Sequence, residues 1–147
     1  AGDVHDRMKE IGAALLVQTL RGIADGTIEE APQSTDGNLS VKTAPKLFTE
    51  HGRIDWNRGV DEIYNQIRGL SPYPGAFCHL DDKLLKIFKA RKEKGTPATA
   101  PGDYQTDYKT FLRFAGRDGY IAVKEIQLEG KKRMPVEDFL RGYKQAK

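Results

Sequence analysis

Apolar side chains at Val4, Met8, Ile11, Leu15, Leu16, Leu20 and Ile23 recur at helical spacing and fall on roughly one face. Asp3 stands ahead of them as an N-cap, and Asp25-Gly26 supplies a stop, because glycine enters the left-handed conformation without a Cβ clash. The pattern predicts an amphipathic helix from about residue 3 to 25 whose apolar face wants a partner. Over residues 26–46 the period is lost. Pro32, Ser34, Asp36-Gly37, Asn38, Ser40 and Pro45 interrupt it and large apolar residues are few, so this stretch reads as a connector and a domain boundary.

Helical spacing returns through Val60, Ile63, Tyr64, Ile67 and Leu70, with Asn57 as N-cap and Ser71-Pro72-Tyr73-Pro74-Gly75 as a firm end. The period then changes. Ala76 to Leu80, an acidic turn at Asp81-Asp82 and Leu84 to Ala90 predict a hairpin, followed by a loop from Glu93 to Gly102. Tyr104 to Thr106, Thr110 to Ala115 and Tyr120 to Leu128 predict three more strands, the last two parted by the turn Gly116-Arg117-Asp118-Gly119. Pro135, with Val136, Phe139, Leu140 and Tyr143 behind it, predicts a closing helix to about residue 143. The expected fold class is mainly β with flanking helices: a small OB-like five-stranded barrel preceded by a long helix and an extended linker.

Charge changes this picture more than composition does. Residues 1–38 carry a net charge of −4, while residues 39–147 carry +7. Such an asymmetry favours an anionic partner such as nucleic acid for the second part. Lys83, Lys86, Lys89, Arg91, Lys92 and Lys94 run along one predicted strand among Leu85, Ile87 and Phe88. Strand alternation forbids Lys86 and Lys89 from both pointing into a core, and whichever reaches solvent is placed to contact phosphate. A strand edge guarded by lysines explains the same run. Lys131-Lys132-Arg133 forms a second cluster whose like charges repel unless an anion or water screens them.

Catalytic chemistry finds little support. His5, His51, His79 and the single Cys78 are scattered, and no phosphate-binding glycine loop or EF-hand spacing occurs. One cysteine forms no internal disulfide and has no metal-ligand partners at zinc spacing, so neither a disulfide framework nor a metal site is expected. No apolar run approaches the ~18–20 residues of a membrane span, which predicts a soluble protein of the reducing cytoplasm. In Arg53-Ile54-Asp55-Trp56 the only Trp is expected to pack, with Arg53 and Asp55 paired locally.

Several segments, in order, resemble the methionyl-tRNA formyltransferase family: residues 5–13 from His5 to Ala13, Ala24-Asp25-Gly26-Thr27, Ala44-Pro45-Lys46-Leu47, Arg53-Ile54-Asp55-Trp56, and the run from Ile67 through Pro72-Tyr73-Pro74-Gly75-Ala76. Lys86-Ile87-Phe88-Lys89-Ala90, Pro101-Gly102 and Gly130-Lys131-Lys132-Arg133-Met134 extend the likeness to about Leu140. The resemblance implies that residues 1–26 are the terminal helix of a catalytic domain, 27–46 a linker and 47–147 a C-terminal OB-like tRNA-binding domain. It implies an enzyme that moves a formyl group from 10-formyltetrahydrofolate, its co-substrate, to the methionine amino group of initiator tRNA during translation initiation. Catalytic residues and the folate pocket would lie upstream, so this stretch alone is expected to be inactive and to hold no cofactor. Its expected partners are initiator methionyl-tRNA and the catalytic domain, with neither membrane nor metal. By position, Lys42, Lys46, Lys86, Lys89, Lys131, Lys132 and Arg133 are carried over as candidate RNA contacts. An amino-sugar-nucleotide formyltransferase or a formyltetrahydrofolate dehydrogenase shares the arrangement and stays open, as does a stand-alone RNA-binding or structural module.

Overall fold

Helix α1 spans Gly2–Ala24 in the computed structural model of the chain, which describes residues 1–32 and 43–143. It starts one residue earlier than the pattern predicts, so Asp3 sits inside the first turn, where a carboxylate still meets the positive end of the helix dipole. The predicted stop holds. Gly26 takes φ +67°, its N–H donates to the Ile23 carbonyl at 3.2 Å, and that of Thr27 donates to Gly22 at 2.9 Å. This is the Schellman pattern, which satisfies carbonyls the helix leaves open. Val4, Met8, Ile11, Leu15, Leu20 and Ile23 are each more than half exposed, so the apolar face that wrote the helix into the sequence is uncovered.

The chain divides into two compact units, Gly2–Lys46 and Leu47–Lys147 with Ala1. The second opens with a 3-10 helix, Thr49–Gly52, which the hydrophobic pattern does not predict. Helix α2 follows at Val60–Leu70 and buries Val60, Ile63, Ile67 and Leu70, the stripe its spacing predicts. Its start differs. Asn57 instead makes a local turn, its N–H donating to Asp55 Oδ1 at 3.1 Å. The N-cap is Gly59, which has no side chain to offer, and the Val60 N–H donates to Asp118 Oδ1 at 2.7 Å. Glu62 accepts the Gly59 N–H at 3.3 Å. A cap supplied from 58 residues away cannot be read from local sequence.

Strands β1 (Ala76–Leu80) and β2 (Lys83–Lys94) form the predicted hairpin, with Asp81 and Asp82 both at positive φ as a two-residue turn of that hand requires. β2 runs four residues past the predicted Ala90, so Glu93 and Lys94 belong to the strand and not to the loop. β3 (Tyr104–Thr106), β4 (Leu112–Gly116) and β5 (Gly119–Leu128) lie close to the predicted places. A sixth, two-residue strand β6 (Met134–Pro135) pairs with β5, so Pro135 caps α3 (Val136–Gly142) instead of standing in its first turn. The named strands pair antiparallel in the order β1-β2-β5-β4-β3, a curled sheet of half-barrel form consistent with the small, mainly β, OB-like domain expected.

The inner face of that sheet carries Leu85, Ile87, Phe114, Ile121, Val123 and Ile126, closed over by α2 and by Val136, Phe139 and Leu140 of α3. Each fully buried branched or aromatic side chain contributes roughly 1.5–3 kcal/mol of burial. Trp56 packs as expected, stacked on Phe114 with ring centroids 4.8 Å apart. The expected Arg53–Asp55 pairing is not formed. Asp55 faces Arg58 at 3.7 Å, because the turn it caps brings residue 58 round to it.

Candidate nucleic-acid interface

Strict alternation from Leu85 and Ile87 would drive Lys89 into the core. The β2–β5 register shifts between Ile87 and Ala90, and this bulge resets the parity. Ala90 packs against the core while Phe88 and Lys89 stand off it. Lys86 already faces outward between its cross-strand partners Phe77 and Gln127. It is half-buried, and its Nζ donates to the Pro74 carbonyl at 3.3 Å. The bulge therefore reconciles two lysines three residues apart with one sheet face.

The turn before α3 reaches this face from the other side of β5. Arg133 Nε donates to Glu125 Oε1 at 2.6 Å, and its guanidinium lies 4.3 Å from the centre of the Phe88 ring. Lys89 Nζ approaches the other Glu125 oxygen at 3.4 Å but stays 71% exposed, so this ion pair adds little stability and leaves the ammonium available to solvent. The hydrogen bond from Arg133 holds the Glu125 carboxyl below the usual range, against the opposing pull of its partial burial. Lys131 and Lys132 project from the same turn into solvent, and the turn is pinned by the Lys131 N–H on Leu128 at 2.9 Å and by Gln127 Nε2 on the Lys131 carbonyl at 3.0 Å.

Five of the seven residues singled out in the sequence thus share one end of the β2–β5 ladder: Lys86, Lys89, Lys131, Lys132 and Arg133. Lys46 is exposed and belongs to the other unit, and Lys42 lies outside the described residues. Sequence reasoning missed Phe88 and Glu125, the platform and the tether that fix Arg133. The only local signal was the adjacent pair Ile87-Phe88, two large apolar residues in succession where alternation allows one.

On β4, Arg113 lies 4.2 Å from the Tyr120 ring centre and donates to Gln105 Oε1 at 3.0 Å and 2.9 Å and to Glu93 at 3.3 Å. With most of its donors engaged, it braces the sheet. Of the aromatics on and between β3 and β4, Phe114 is buried, Tyr104 is half-buried, and Tyr108 and Phe111 are about 40% exposed.

His5 faces Asp6 at 3.4 Å on an exposed helix, His51 accepts the Phe48 N–H at 3.0 Å, and His79 packs edge-on to Phe77. Burial pushes the Cys78 thiol up to about 12, which keeps it protonated and unreactive. Among the described residues no group of His, Cys, Asp and Glu is arranged to hold a metal, and no helix is long and apolar enough to cross a membrane.

Comparison with known proteins places this chain in a family. The chain is 43% identical to a methionyl-tRNA formyltransferase of Phocaeicola vulgatus over 96% of its own length and 46% of that protein's. It is 44% identical to one of Citrifermentans bemidjiense over 96% of its length and 43% of that protein's. The chain therefore spans somewhat less than half the length of these curated relatives. Among solved structures, HypX from Aquifex aeolicus in complex with tetrahydrofolic acid matches with a TM-score of 0.61 at 20% identity, covering 89% of this chain and 23% of HypX, a likeness of fold alone. The family described as "Formyl transferase, C-terminal domain" matches residues 46–144, about two thirds of the chain, and the chain belongs to that family.

Proposed function

We propose that the β-rich unit is the tRNA-holding part of a methionyl-tRNA formyltransferase, an enzyme that transfers a formyl group from 10-formyltetrahydrofolate to methionyl initiator tRNA during translation initiation in the cytoplasm. The observation that carries the reading is the 43% identity to a methionyl-tRNA formyltransferase across 96% of the chain. The cationic end of the β2–β5 ladder supplies a physical role. Phosphate contacts need charge and reach but no base-specific geometry, so lysines on a sheet face and a turn suffice. In this reading Lys86, Lys89, Lys131, Lys132 and Arg133 face the RNA backbone, with Lys42 and Lys46 contributing from the linker. Residues 1–26 end the catalytic domain, whose surface covers the apolar face of α1. The formyl donor and the catalytic groups belong to that domain, and the chain described here holds the substrate without reacting with it.

Binding of initiator tRNA across a salt series tests this. The expected result is weak affinity whose logarithm falls steeply with the logarithm of salt concentration, with a slope reduced by roughly 2–3 in the Lys131→Ala, Lys132→Ala, Arg133→Ala variant. An affinity independent of salt, or no binding at low salt, would leave the domain as a brace for the catalytic half.

A further inference from the structure

Beyond the sheet face, a groove of about 460 Å³ opens between the β1–β2 turn, the end of β5 and α3. Leu80, Leu128, Met134 and Phe139 give it an apolar lining, and Lys83 and Lys131 stand at its rim. Two carboxylates also border it, one hydrogen-bonded to a hydroxyl and still charged, the other paired with an arginine. Asp81 accepts the Tyr143 hydroxyl, and Asp138 accepts from Arg141. Tyr143 in turn stacks on Phe139, with ring centroids 4.7 Å apart. Neither Lys83 nor Lys131 makes an ion pair among the described residues. Cations without partners thus stand over an apolar, aromatic-lined cleft of the size that small ligands occupy.

We infer that this groove takes one unstacked nucleotide of a bound RNA, the base against the apolar lining and its phosphate between Lys83 and Lys131. The chemistry selects this occupant. A bare anion would gain nothing from Leu80, Met134 and Phe139, and an apolar side chain would leave the two ammonium groups unanswered, whereas a nucleotide carries a flat apolar ring and a phosphate on one body. Lys131 then links the groove to the outer sheet face, since it belongs to the same turn as Lys132 and Arg133. The identity of the ligand as part of an RNA rests on the function proposed above; the groove adds a site that holds a base as well as phosphates.

Chemical-shift mapping on the ¹⁵N-labelled chain tests the inference with adenosine 5′-monophosphate, adenosine and inorganic phosphate as separate probes. The nucleotide should shift amides over residues 80–84, 128–134 and 138–143, and bind about tenfold more weakly to the Lys83→Ala, Lys131→Ala variant, the scale of losing charge-assisted contacts to a phosphate. Both substitutions fall on exposed side chains, and preserved spectra elsewhere will report an intact fold. Initiator tRNA should displace the nucleotide. Absence of groove shifts, equal binding by phosphate alone, or an unchanged affinity in the variant would overturn the inference. The Lys89→Ala, Arg133→Ala variant separates the two claims: it should lower tRNA affinity while leaving nucleotide binding intact. tRNA binding with a silent groove sinks this inference alone, and a nucleotide-binding groove in a chain that ignores tRNA sinks the reading on which it rests.

Discussion

Asp61, in the first turn of α2, receives two lysines from the far end of β2: Lys92, in a short contact, and Lys94 at 2.7 Å. Hydrogen bonds from these ammonium groups, Lys92 first, pull its carboxyl from 3.8 down to about 2. The folded state thus holds the carboxylate more tightly than the unfolded state does. Its contribution is present above pH 3.8, and it is lost as pH falls towards 2. Asp61→Asn should therefore remove part of the acid sensitivity between those values, and less so in high salt because the group is exposed. Urea unfolding at pH 4 and pH 2 measures this; an identical loss in variant and parent would show that the lysines do not meet Asp61 in solution. Contacts made by single residues across the fold were concealed in the sequence. Lys131, Lys132 and Arg133 are adjacent and legible as a cluster, while the contact of Arg133 with Phe88 and Glu125 depends on strands that meet only after folding.

Elements were largely legible because their periods are strong, and they failed where another element set the boundary. The buried stripe of α2 follows from Val60, Ile63, Ile67 and Leu70, but its first residue is fixed by Asp118 in the β4–β5 turn. The sequence suggested Asn57, a good capping residue used instead in the Asp55 turn. Removing a side-chain cap typically costs ~1 kcal/mol, so Asp118→Ala should lower stability by about that amount and Asn57→Ala by clearly less. Denaturant midpoints of the two variants decide the assignment, and a larger loss for Asn57→Ala would reverse it. The bulge in β2 belongs to the same class of hidden feature. Alternation alone sends Lys89 inward, and only pairing with β5, where Lys89 opposes Glu125, shows it facing outward.

For the whole molecule, the charge division between residues 1–38 and 39–147 was visible before any fold was known. Folding then distributes the basic residues unevenly. Lys92 and Lys94 are spent on Asp61 at one end of β2, while Lys86, Lys89, Lys131, Lys132 and Arg133 lie towards the other, where Lys89 and Arg133 share Glu125. Under the proposed function, net charge alone would attract RNA to either end equally, whereas contact through this surface would make only one end matter. The most direct test compares two variants with the same change in charge, Lys89→Ala with Arg133→Ala against Lys92→Ala with Lys94→Ala, for binding to initiator tRNA at low salt. The first pair is expected to lose affinity and lower the salt slope by roughly 1–2, while the second stays near the parent. Equal losses in both would mean that total charge, and not this face of the sheet, holds the RNA.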